Sequence, residues 1–358
     1  MAESEVFAPS AGIVVLGMHR SGTSAFAGIL HLLGFDFGDD LLEGNQFNQG
    51  GYWENRAIVR FNDRLLNSLG AGWSDVQIAP YCLPDLQREF GSEARAVLER
   101  TFSGKKNWAL KDPRLCLLMD FWREIFAERN ISFIHIVRDP LAVAHSLYRR
   151  DRFPIERGLL LWLSQNLNAE FFTRGCRRCF LNYEDFTTDW CRALSLAFRQ
   201  LNIRPQKDFE DAADDIEVFL GMKSNPLPGG TESRVSNHQS RLVSETYEVL
   251  RRATICRQAE LEARCDELGD RFRDLGELFF RSFHADHVQA ELKSTRERLA
   301  ALAAKEAVMR RKLDERSAYR QLARRTNAMW MRLFLYGWIW RFWWVWIPVL
   351  LLPCWIYD

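Results

Sequence analysis

A short polar segment near the beginning of the chain has the residue types and the spacing of an anion-binding loop. The segment is Gly17-Met-His-Arg-Ser-Gly-Thr-Ser24. It follows an apolar run typical of a strand and precedes residues with the apolar spacing of a helix. A loop between a strand and a helix presents backbone N–H groups at the helix N-terminus, and these groups favour a phosphate. The sequence therefore predicts a phosphate-binding loop with Arg20 as its cation, and an ordinary strand-to-helix turn remains the alternative.

A second pair of residues suited to phosphate follows another strand-like run. Arg138 comes directly after the apolar run Ile131–Val137, and Ser146 lies eight residues later in a predicted helix. Open α/β folds bind ligands outside the carboxyl ends of their strands, and both the Arg fork and the Ser hydroxyl suit a phosphate. We expect Arg138 and Ser146 to contact one anion. The alternative is that Arg138 pairs with Asp139 and only fixes a turn.

The first loop has the G-x-x-x-x-G spacing of a Walker A motif but departs from it at one position. Thr23 stands where that motif places the Lys that contacts the β- and γ-phosphates of a nucleoside triphosphate. The cation of the loop is Arg20 instead. A P-loop kinase or nucleoside triphosphatase is therefore the second hypothesis, and a requirement for Mg²⁺ would support it.

The two sites together resemble the sulfotransferase family that uses 3′-phosphoadenosine 5′-phosphosulfate (PAPS). The similarity is to a branch found among bacterial enzymes and related to carbohydrate and tyrosyl-protein sulfotransferases. It covers roughly residues 12–190 and includes the segments Asn48–Glu54, Leu110–Arg114 and Tyr183–Asp185. The resemblance implies transfer of a sulfuryl group from PAPS to an acceptor hydroxyl, without a required metal. The expected acceptor is a saccharide or glycolipid.

The resemblance also implies a donor site. Its first part, expected to hold the 5′-phosphosulfate, consists of Arg20, Ser21, Gly22, Thr23 and Ser24. Arg138 and Ser146 would hold the 3′-phosphate, and Tyr183 would contact the nucleotide. A more C-terminal basic loop of the family is not clear in this chain, where Arg234 is the candidate.

Sulfuryl transfer needs charge stabilisation at the leaving group and a base for the acceptor hydroxyl. The resemblance places Arg20 at the bridging oxygen. Lys111 is expected at the sulfuryl oxygens or the acceptor, with a salt-bridged turn as its alternative role. The preferred base is Glu54, which could instead favour the dipole of a helix predicted at Asn55–Leu69. The other candidate bases are His19, Asp112 and Glu184.

The chain up to about residue 235 alternates strand-like and helix-like segments. This alternation predicts an α/β layered, P-loop-like fold with a central, mostly parallel sheet. The predicted strands are Gly12–Met18, Asn107–Leu110, Ile131–Val137 and Cys179–Tyr183. The predicted helices between and after them are Ser24–Leu33, Leu115–Glu128, Leu141–Arg149, Gly158–Thr173 and Asp189–Leu201. His135, inside the third strand, is expected to be a buried core residue.

Residues 236–325 have a helical pattern and are predicted to form a helical or coiled-coil region. A mostly apolar stripe steps by four and three residues along Val288, Leu292, Thr295, Leu299 and Leu302. This is the spacing of a heptad seam. A homodimer through this region is one expectation.

Residues 326–358 form a Trp-rich tail with a composition of its own. Seven of the 13 Trp lie in the last 29 residues, and residues 310–341 carry nine Arg or Lys against two acids. Trp prefers the membrane interface, and basic residues prefer anionic lipid. The tail is expected to lie on or span a membrane, unless it packs into the catalytic domain or a dimer. A non-catalytic, membrane-tethered scaffold is accordingly the third hypothesis.

The overall composition sets wider limits. The chain has 358 residues, 47% hydrophobic and 27% charged, with a net charge of +1. These values exclude wholesale disorder and argue against a protein that coats nucleic acid. The first ten residues lack a secretory pattern and the eight Cys are scattered, which predicts reduced thiols. The predicted location is the cytoplasm, at the cytoplasmic face of a membrane.

Overall fold

The chain divides into two compact units, Met1–Leu278 and Phe279–Asp358. The computed structural model describes residues 11–44, 50–76, 82–223, 237–253, 258–275, 295–296, 298–312, 324–329, 331–332 and 335. The first unit contains the sheet and both predicted phosphate sites.

A four-stranded, wholly parallel sheet forms the centre of the first unit. Its strands are β1 (Ala11–Leu16), β2 (Asn107–Lys111), β3 (Ile131–Val137) and β4 (Arg177–Asn182). They are ordered β2-β1-β3-β4, and each neighbouring pair is parallel. The predicted α/β fold with a mostly parallel sheet is confirmed. Because all four carboxyl ends meet at one edge, residues that follow different strands are brought together there.

Helices connect the strands and cover both faces of the sheet. Up to β4 they are α1 (Thr23–Leu32), α2 (Arg56–Ser68), α3 (Leu83–Phe102), α4 (Leu115–Ala127), α5 (Pro140–Asp151) and α6 (Ile155–Phe172). After β4 they are α7 (Tyr183–Thr188), α8 (Trp190–Leu201), α9 (Phe209–Lys223), α10 (Asn237–Arg251) and α11 (258–275).

The alternation of side chains along β1 supplies both hydrophobic cores. Val14 and Leu16 pack in a core with residues of α2, α3 and α4, whereas Ile13 and Val15 pack in a second core with residues of α1, α8 and α9. A strand that is buried on both faces is apolar throughout, which is why the predicted and observed limits of β1 nearly agree. His135 in β3 is buried, and its Nε2 lies 3.0 Å from Thr173 Oγ1, so its predicted core position is confirmed.

Two helices that follow residue 235 also belong to the first unit. α10 contacts β3, β4, α5 and α6. α11 is joined to β4 by an ion pair of 2.9 Å between Arg178 and Glu262, and to the turn after α6 by one of 2.7 Å between Arg174 and Asp266. The boundary found at Leu278 therefore lies well beyond the one expected at residue 235.

The described part of the second unit is helical. Its longest segment is α12 (298–312), and every residue of α12 is exposed. Among the described helices, none is both long and apolar enough to cross a membrane. Val288, Leu292 and most of the predicted Trp-rich tail lie outside the described residues.

The cysteines are free thiols wherever the structure describes them. They are Cys82, Cys116, Cys176, Cys179, Cys191 and Cys265. Cys116 lies beneath the loop after β1, where its Sγ accepts a hydrogen bond of 3.2 Å from the backbone N–H of Gly17.

Candidate phosphate-binding and transfer site

Two glycines determine the path of the loop between β1 and α1. Gly17 has a φ of +149°, and a Cβ there would lie 2.8 Å from the carbonyl oxygen of Ile136. Gly22 has a φ of +90°, and its Cβ would overlap the ring of Tyr183. Side chains other than hydrogen are therefore excluded at both positions. The loop passes between β3 and Tyr183 because these two residues are glycines.

The helix that follows the loop begins at Thr23, and its N-cap is Gly22. The backbone N–H groups of Thr23 and Ser24 are in the first turn, where no intrahelical acceptor exists. Arg20 has a φ of +72°, a left-handed conformation that is strained for a residue with a side chain. Such strained residues cluster at functional sites. The loop thus combines a helix N-terminus with a cation held in an unusual conformation.

Three buried polar atoms around the loop have no hydrogen-bond partner in the described part of the protein. They are Ser21 Oγ, His19 Nε2 and Arg138 Nε. A buried polar group without a partner destabilises the folded state by about 1–3 kcal/mol, and native proteins keep few of them. Three such atoms at one loop indicate a site that a polar ligand completes.

The residues predicted for the two phosphate sites lie in direct contact. Arg20 Nε donates to Ser146 Oγ at 2.8 Å, and Arg138 Nη1 donates to the carbonyl oxygen of Arg20 at 2.9 Å. The guanidinium of Arg138 lies over the ring of Tyr183, 4.1 Å from its centroid. Arg20, Arg138, Ser146 and Tyr183, which come from four separate segments, therefore line one cluster.

Asp139 does not hold the side chain of Arg138. Its carboxylate instead caps α5 by accepting from the backbone N–H of Ala142 at 2.7 Å. The Arg138 carbonyl oxygen accepts from Trp162 Nε1 at 3.1 Å, which positions the residue from the α6 side. The turn-fixing alternative for Arg138 is thus wrong, because this guanidinium contacts the loop.

The charge of the cluster is unbalanced in favour of cations. Burial lowers the pKa of Arg20, and the neighbouring cations Arg150 and Arg138 lower it further. Repulsion of this kind is relieved when an anion binds between the guanidinium groups. The charge distribution and the orphaned atoms both indicate an anionic ligand.

A second cluster joins the end of the loop to β2. Lys111 Nζ donates to Glu54 Oε1 at 2.5 Å, to Ser24 Oγ at 3.2 Å and to the carbonyl oxygen of Tyr52 at 3.2 Å. Lys111 and Glu54 are only 2% and 4% exposed. Burial raises the pKa of Glu54, against the opposing effect of Lys111. The two residues predicted from separate motifs therefore form one buried ion pair beside the loop.

Glu54 does not cap α2. The N-cap is Asn55, whose Oδ1 accepts from the N–H of Ala57 at 3.1 Å. The carboxylate of Glu54 is instead directed at Lys111, and its Oε2 lies 3.7 Å from Arg114 Nη1. The neighbouring helix serves to place Glu54 at the site.

Of the remaining candidate bases, Asp112 and Glu184 are poorly placed to accept a proton from an acceptor hydroxyl. Asp112 is fully buried and accepts from Asn62 Nδ2 at 2.9 Å and from Arg114 Nη1 at 3.0 Å. Glu184 is exposed in the first turn of α7. Arg234 lies outside the described residues.

His19 is the residue whose surroundings the sequence did not reveal. Its ring packs against Trp73, with the two centroids 4.4 Å apart. Burial lowers its pKa well below the usual value, and the cations Arg114, Arg150, Lys111 and Arg20 lower it further. The imidazole is therefore neutral near pH 7, with its orphaned Nε2 inside the site.

Trp73 is itself held from two sides. Its carbonyl oxygen accepts from Gln165 Nε2 at 3.1 Å, and its ring stacks on Phe153 at 5.7 Å. Trp73 and Arg150 were missed by sequence reasoning because a lone aromatic in a turn and a lone Arg late in a helix carry no motif.

No group of His, Cys, Asp or Glu in the described part of the chain is arranged to hold a metal ion. The cluster is instead rich in N–H donors from backbone, Arg and Lys. Such a set binds phosphate or sulfate directly.

Comparison with known proteins gives a distant structural likeness. No protein-family model matches the chain and no curated protein matches its sequence. Among solved structures, the sulfotransferase domain of the Synechococcus PCC 7002 olefin synthase is 17% identical, with a TM-score of 0.37 over 69% of this chain and 98% of that one. The sulfotransferase domain of the curacin biosynthetic pathway is 16% identical, with a TM-score of 0.35 over 67% and 99%. Likeness at this level carries no functional argument.

Proposed function

We propose that the protein is a sulfotransferase that uses PAPS as its donor. The observation that carries the proposal is the contact of Arg20 with Ser146 and Arg138 around three orphaned buried atoms. The loop and the Arg138–Ser146 pair are separate motifs in the sequence, so their convergence is not a consequence of local spacing. A ligand with two phosphate groups satisfies both at once.

Separate sets of residues suit the two phosphate-containing ends of the donor. The N–H groups of Thr23 and Ser24 and the hydroxyl of Ser21 suit the 5′-phosphosulfate. The orphaned Nε of Arg138 and the hydroxyl of Ser146 suit the 3′-phosphate. Tyr183, already beneath the Arg138 guanidinium, lines the nucleotide side. This division needs no lysine after Gly22, which agrees with Thr23 at that position.

Transfer forms a bond between the acceptor oxygen and sulfur and breaks the bond from sulfur to the 5′-phosphate oxygen. Arg20 stabilises the charge that develops on the leaving 3′,5′-bisphosphate, and Lys111 contacts the sulfuryl oxygens or the acceptor. A base takes the proton of the acceptor hydroxyl. Glu54 is supported in this role by its burial and raised pKa, and His19 by its neutral imidazole with an unpartnered Nε2.

The proposed acceptor is a hydroxyl of a saccharide or glycolipid, reached at the cytoplasmic face of a membrane. Its support is the resemblance of residues 12–190 to a branch with carbohydrate enzymes, together with the Trp-rich and basic composition of the tail. The donor proposal does not depend on this acceptor.

Binding of 3′,5′-ADP, the product of the donor, tests the proposal. We expect the full-length protein to bind it in EDTA and to be stabilised by about 2.7 kcal/mol when the ligand is at 100 times its Kd. 5′-AMP, which lacks the 3′-phosphate, should bind at least tenfold more weakly. Arg138→Ala should lose most of this preference, whereas Arg123→Ala, an exposed Arg on α4, should keep it.

Isothermal titration calorimetry of the wild type and both variants measures these affinities. If the wild type fails to bind 3′,5′-ADP, or binds Mg²⁺-ATP more tightly, the sulfotransferase proposal is wrong. The second of those results would favour the kinase or nucleoside triphosphatase hypothesis.

A further inference from the structure

Lys111 already uses its hydrogen-bonding capacity within the protein. An ammonium group has three N–H donors. Lys111 Nζ donates to Glu54 Oε1 at 2.5 Å, and to Ser24 Oγ and the carbonyl oxygen of Tyr52 at 3.2 Å each. Contact with a sulfuryl oxygen, one of the two roles proposed for Lys111, therefore requires it to give up one of these partners. The anionic sulfuryl group competes most directly with Glu54, because both attract the same positive charge.

Glu54 needs a cation beside it if it is to act as the base. Burial raises its pKa and Asp112 also raises it, whereas Lys111 and Arg114 act in the opposite direction. A buried carboxylate without a cation takes up a proton instead of keeping its charge. A protonated Glu54 cannot accept the proton of the acceptor hydroxyl. If Lys111 moves to the sulfuryl group, another residue has to keep Glu54 ionised.

Arg114 is the second cation beside Glu54, and other carboxylates hold it in place. Its Nη1 lies 3.7 Å from Glu54 Oε2, whereas Lys111 contacts Oε1. The same Nη1 donates to Asp112 Oδ1 at 3.0 Å, and Nε donates to Asp63 Oδ1 at 2.6 Å. The Arg114 side chain is only 12% exposed. Its position beside Glu54 therefore does not depend on Lys111.

The residues that hold Arg114 are themselves fixed to the framework of the first unit. Asp112 accepts from the backbone N–H of Arg114 at 3.0 Å and from Asn62 Nδ2 at 2.9 Å. Asn62 Oδ1 accepts in turn from Trp122 Nε1 at 2.8 Å. Asn62 belongs to α2 and Trp122 to α4, so two helices determine where the guanidinium lies.

We propose that Arg114 is a positioning residue that keeps Glu54 ionised and in place when Lys111 turns towards the sulfuryl group of PAPS. This role rests on the proposed function. The flexible stem of a lysine suits a cation that moves, whereas an arginine fork held by two carboxylates suits one that stays. Glu54 then takes the proton of the acceptor hydroxyl as the acceptor oxygen bonds to sulfur and the bond from sulfur to the 5′-phosphate oxygen breaks.

Proton uptake on binding of PAPS tests this role without an acceptor. Isothermal titration calorimetry of the full chain near neutral pH, in two buffers of different ionisation enthalpy, gives the number of protons taken up with each PAPS. We expect Arg114→Gln to take up about one proton more than the wild type, because Glu54 then loses both cations that lie beside it. 3′,5′-ADP has no sulfuryl group to attract Lys111, so with this ligand the two proteins should take up equal numbers of protons.

Three further variants assign the additional proton. R114Q/E54Q has no carboxylate at position 54 and should lose the additional uptake. Arg114→Lys keeps the positive charge and should match the wild type. The matched control Arg88→Gln removes the cation of an exposed ion pair on α3 and should also match the wild type. If Arg114 only stabilised a salt-bridged turn, its loss would change the melting temperature but would not add a proton that depends on both PAPS and Glu54.

The outcomes separate the role of Arg114 from the proposed function. Failure of the wild type to bind PAPS would contradict the proposed function itself. If PAPS binds, the role of Arg114 is overturned by equal proton uptake in the wild type and Arg114→Gln, by an excess that persists in R114Q/E54Q, or by an equal excess in Arg114→Lys. If Arg114→Gln does not fold, the wild type is compared with Glu54→Gln. These two should take up equal numbers of protons, and a larger number in the wild type would show that Glu54 is protonated in spite of Arg114.

Discussion

At the scale of single residues, some features of the site can be recognised from local sequence motifs. Other features depend on contacts between residues far apart in the sequence, which no motif indicates. Arg20, Gly22, Arg138 and Ser146 were predictable because strand ends, glycine spacing and helix spacing are all local. The pairing of Lys111 with Glu54 joins residues 57 positions apart. The sequence indicated both as site residues but not that they neutralise each other. A test of the predicted catalytic role of either residue therefore has to include its partner.

Gly22 provides a sharp test of the loop at this scale. We expect Gly22→Ala to weaken 3′,5′-ADP binding at least tenfold, because the added methyl group overlaps the Tyr183 ring and displaces the loop. The matched control is Gly104→Ala, where φ is +74° and a Cβ meets nothing within 4 Å. Both variants should lose about 1–2 kcal/mol from the left-handed backbone. Only Gly22→Ala should lose affinity in calorimetry, and similar affinities for the two variants would contradict the proposed role of the loop.

At the scale of elements, the limits of the strands followed from their burial. β1 and β3 were predicted closely because strands buried on both faces are apolar throughout. β4 begins at Arg177, two residues before its predicted start. The prediction missed these residues because Arg178 is charged, although it is only 5% exposed in the structure. Its guanidinium pairs with Glu170 at 3.0 Å and with Glu262 at 2.9 Å. No local pattern indicates partners that lie in α6 and α11, so this buried charge could not be predicted.

The interior of β3 predicts a dependence of stability on pH. Burial, assisted by Arg178, lowers the pKa of His135 to about 3, while an unfolded His has a pKa of about 6.5. Between these values the unfolded chain binds more protons, so stability falls as the pH falls below 6.5. The slope for one such group approaches about 1.4 kcal/mol per pH unit.

His135→Gln removes this proton-binding group while keeping a polar side chain beside Thr173. We expect the wild type to lose about 1 kcal/mol more than the variant between pH 6 and pH 5. Urea unfolding of both proteins at each pH measures the difference. Parallel losses in the two proteins would show that His135 is protonated in the folded chain as readily as in the unfolded one.

At the scale of the whole molecule, the first unit extends past the boundary that composition suggested. The Pro- and Gly-rich segment near residue 225 predicts the end of the α/β domain, because such residues mark loops. α10 and α11 nevertheless contribute buried side chains to this unit. From α10 these are Leu242, Val243, Thr246 and Leu250, and from α11 they are Leu261, Cys265, Leu268 and Phe272. The sequence predicts a helical region here but does not identify the sheet as its packing partner.

A pair of truncated chains tests where the α/β unit ends. We expect residues 1–278 to fold with a cooperative thermal transition and to bind 3′,5′-ADP like the full chain. Residues 1–235 should aggregate or melt at least 10 °C lower, because removing α10 and α11 exposes apolar surface on β4, α5 and α6 and leaves Arg178 without Glu262. Loss of even one buried Leu costs about 2–5 kcal/mol, and about 2–4 °C of melting temperature accompanies each kcal/mol in a unit of this size. Leu268→Ala in the 1–278 chain gives a graded version of this test, and we expect it to lower the free energy of unfolding by about 2–5 kcal/mol. Equal melting temperatures for the two truncated chains would mean that α10 and α11 add no stability, and that the α/β unit ends near residue 235.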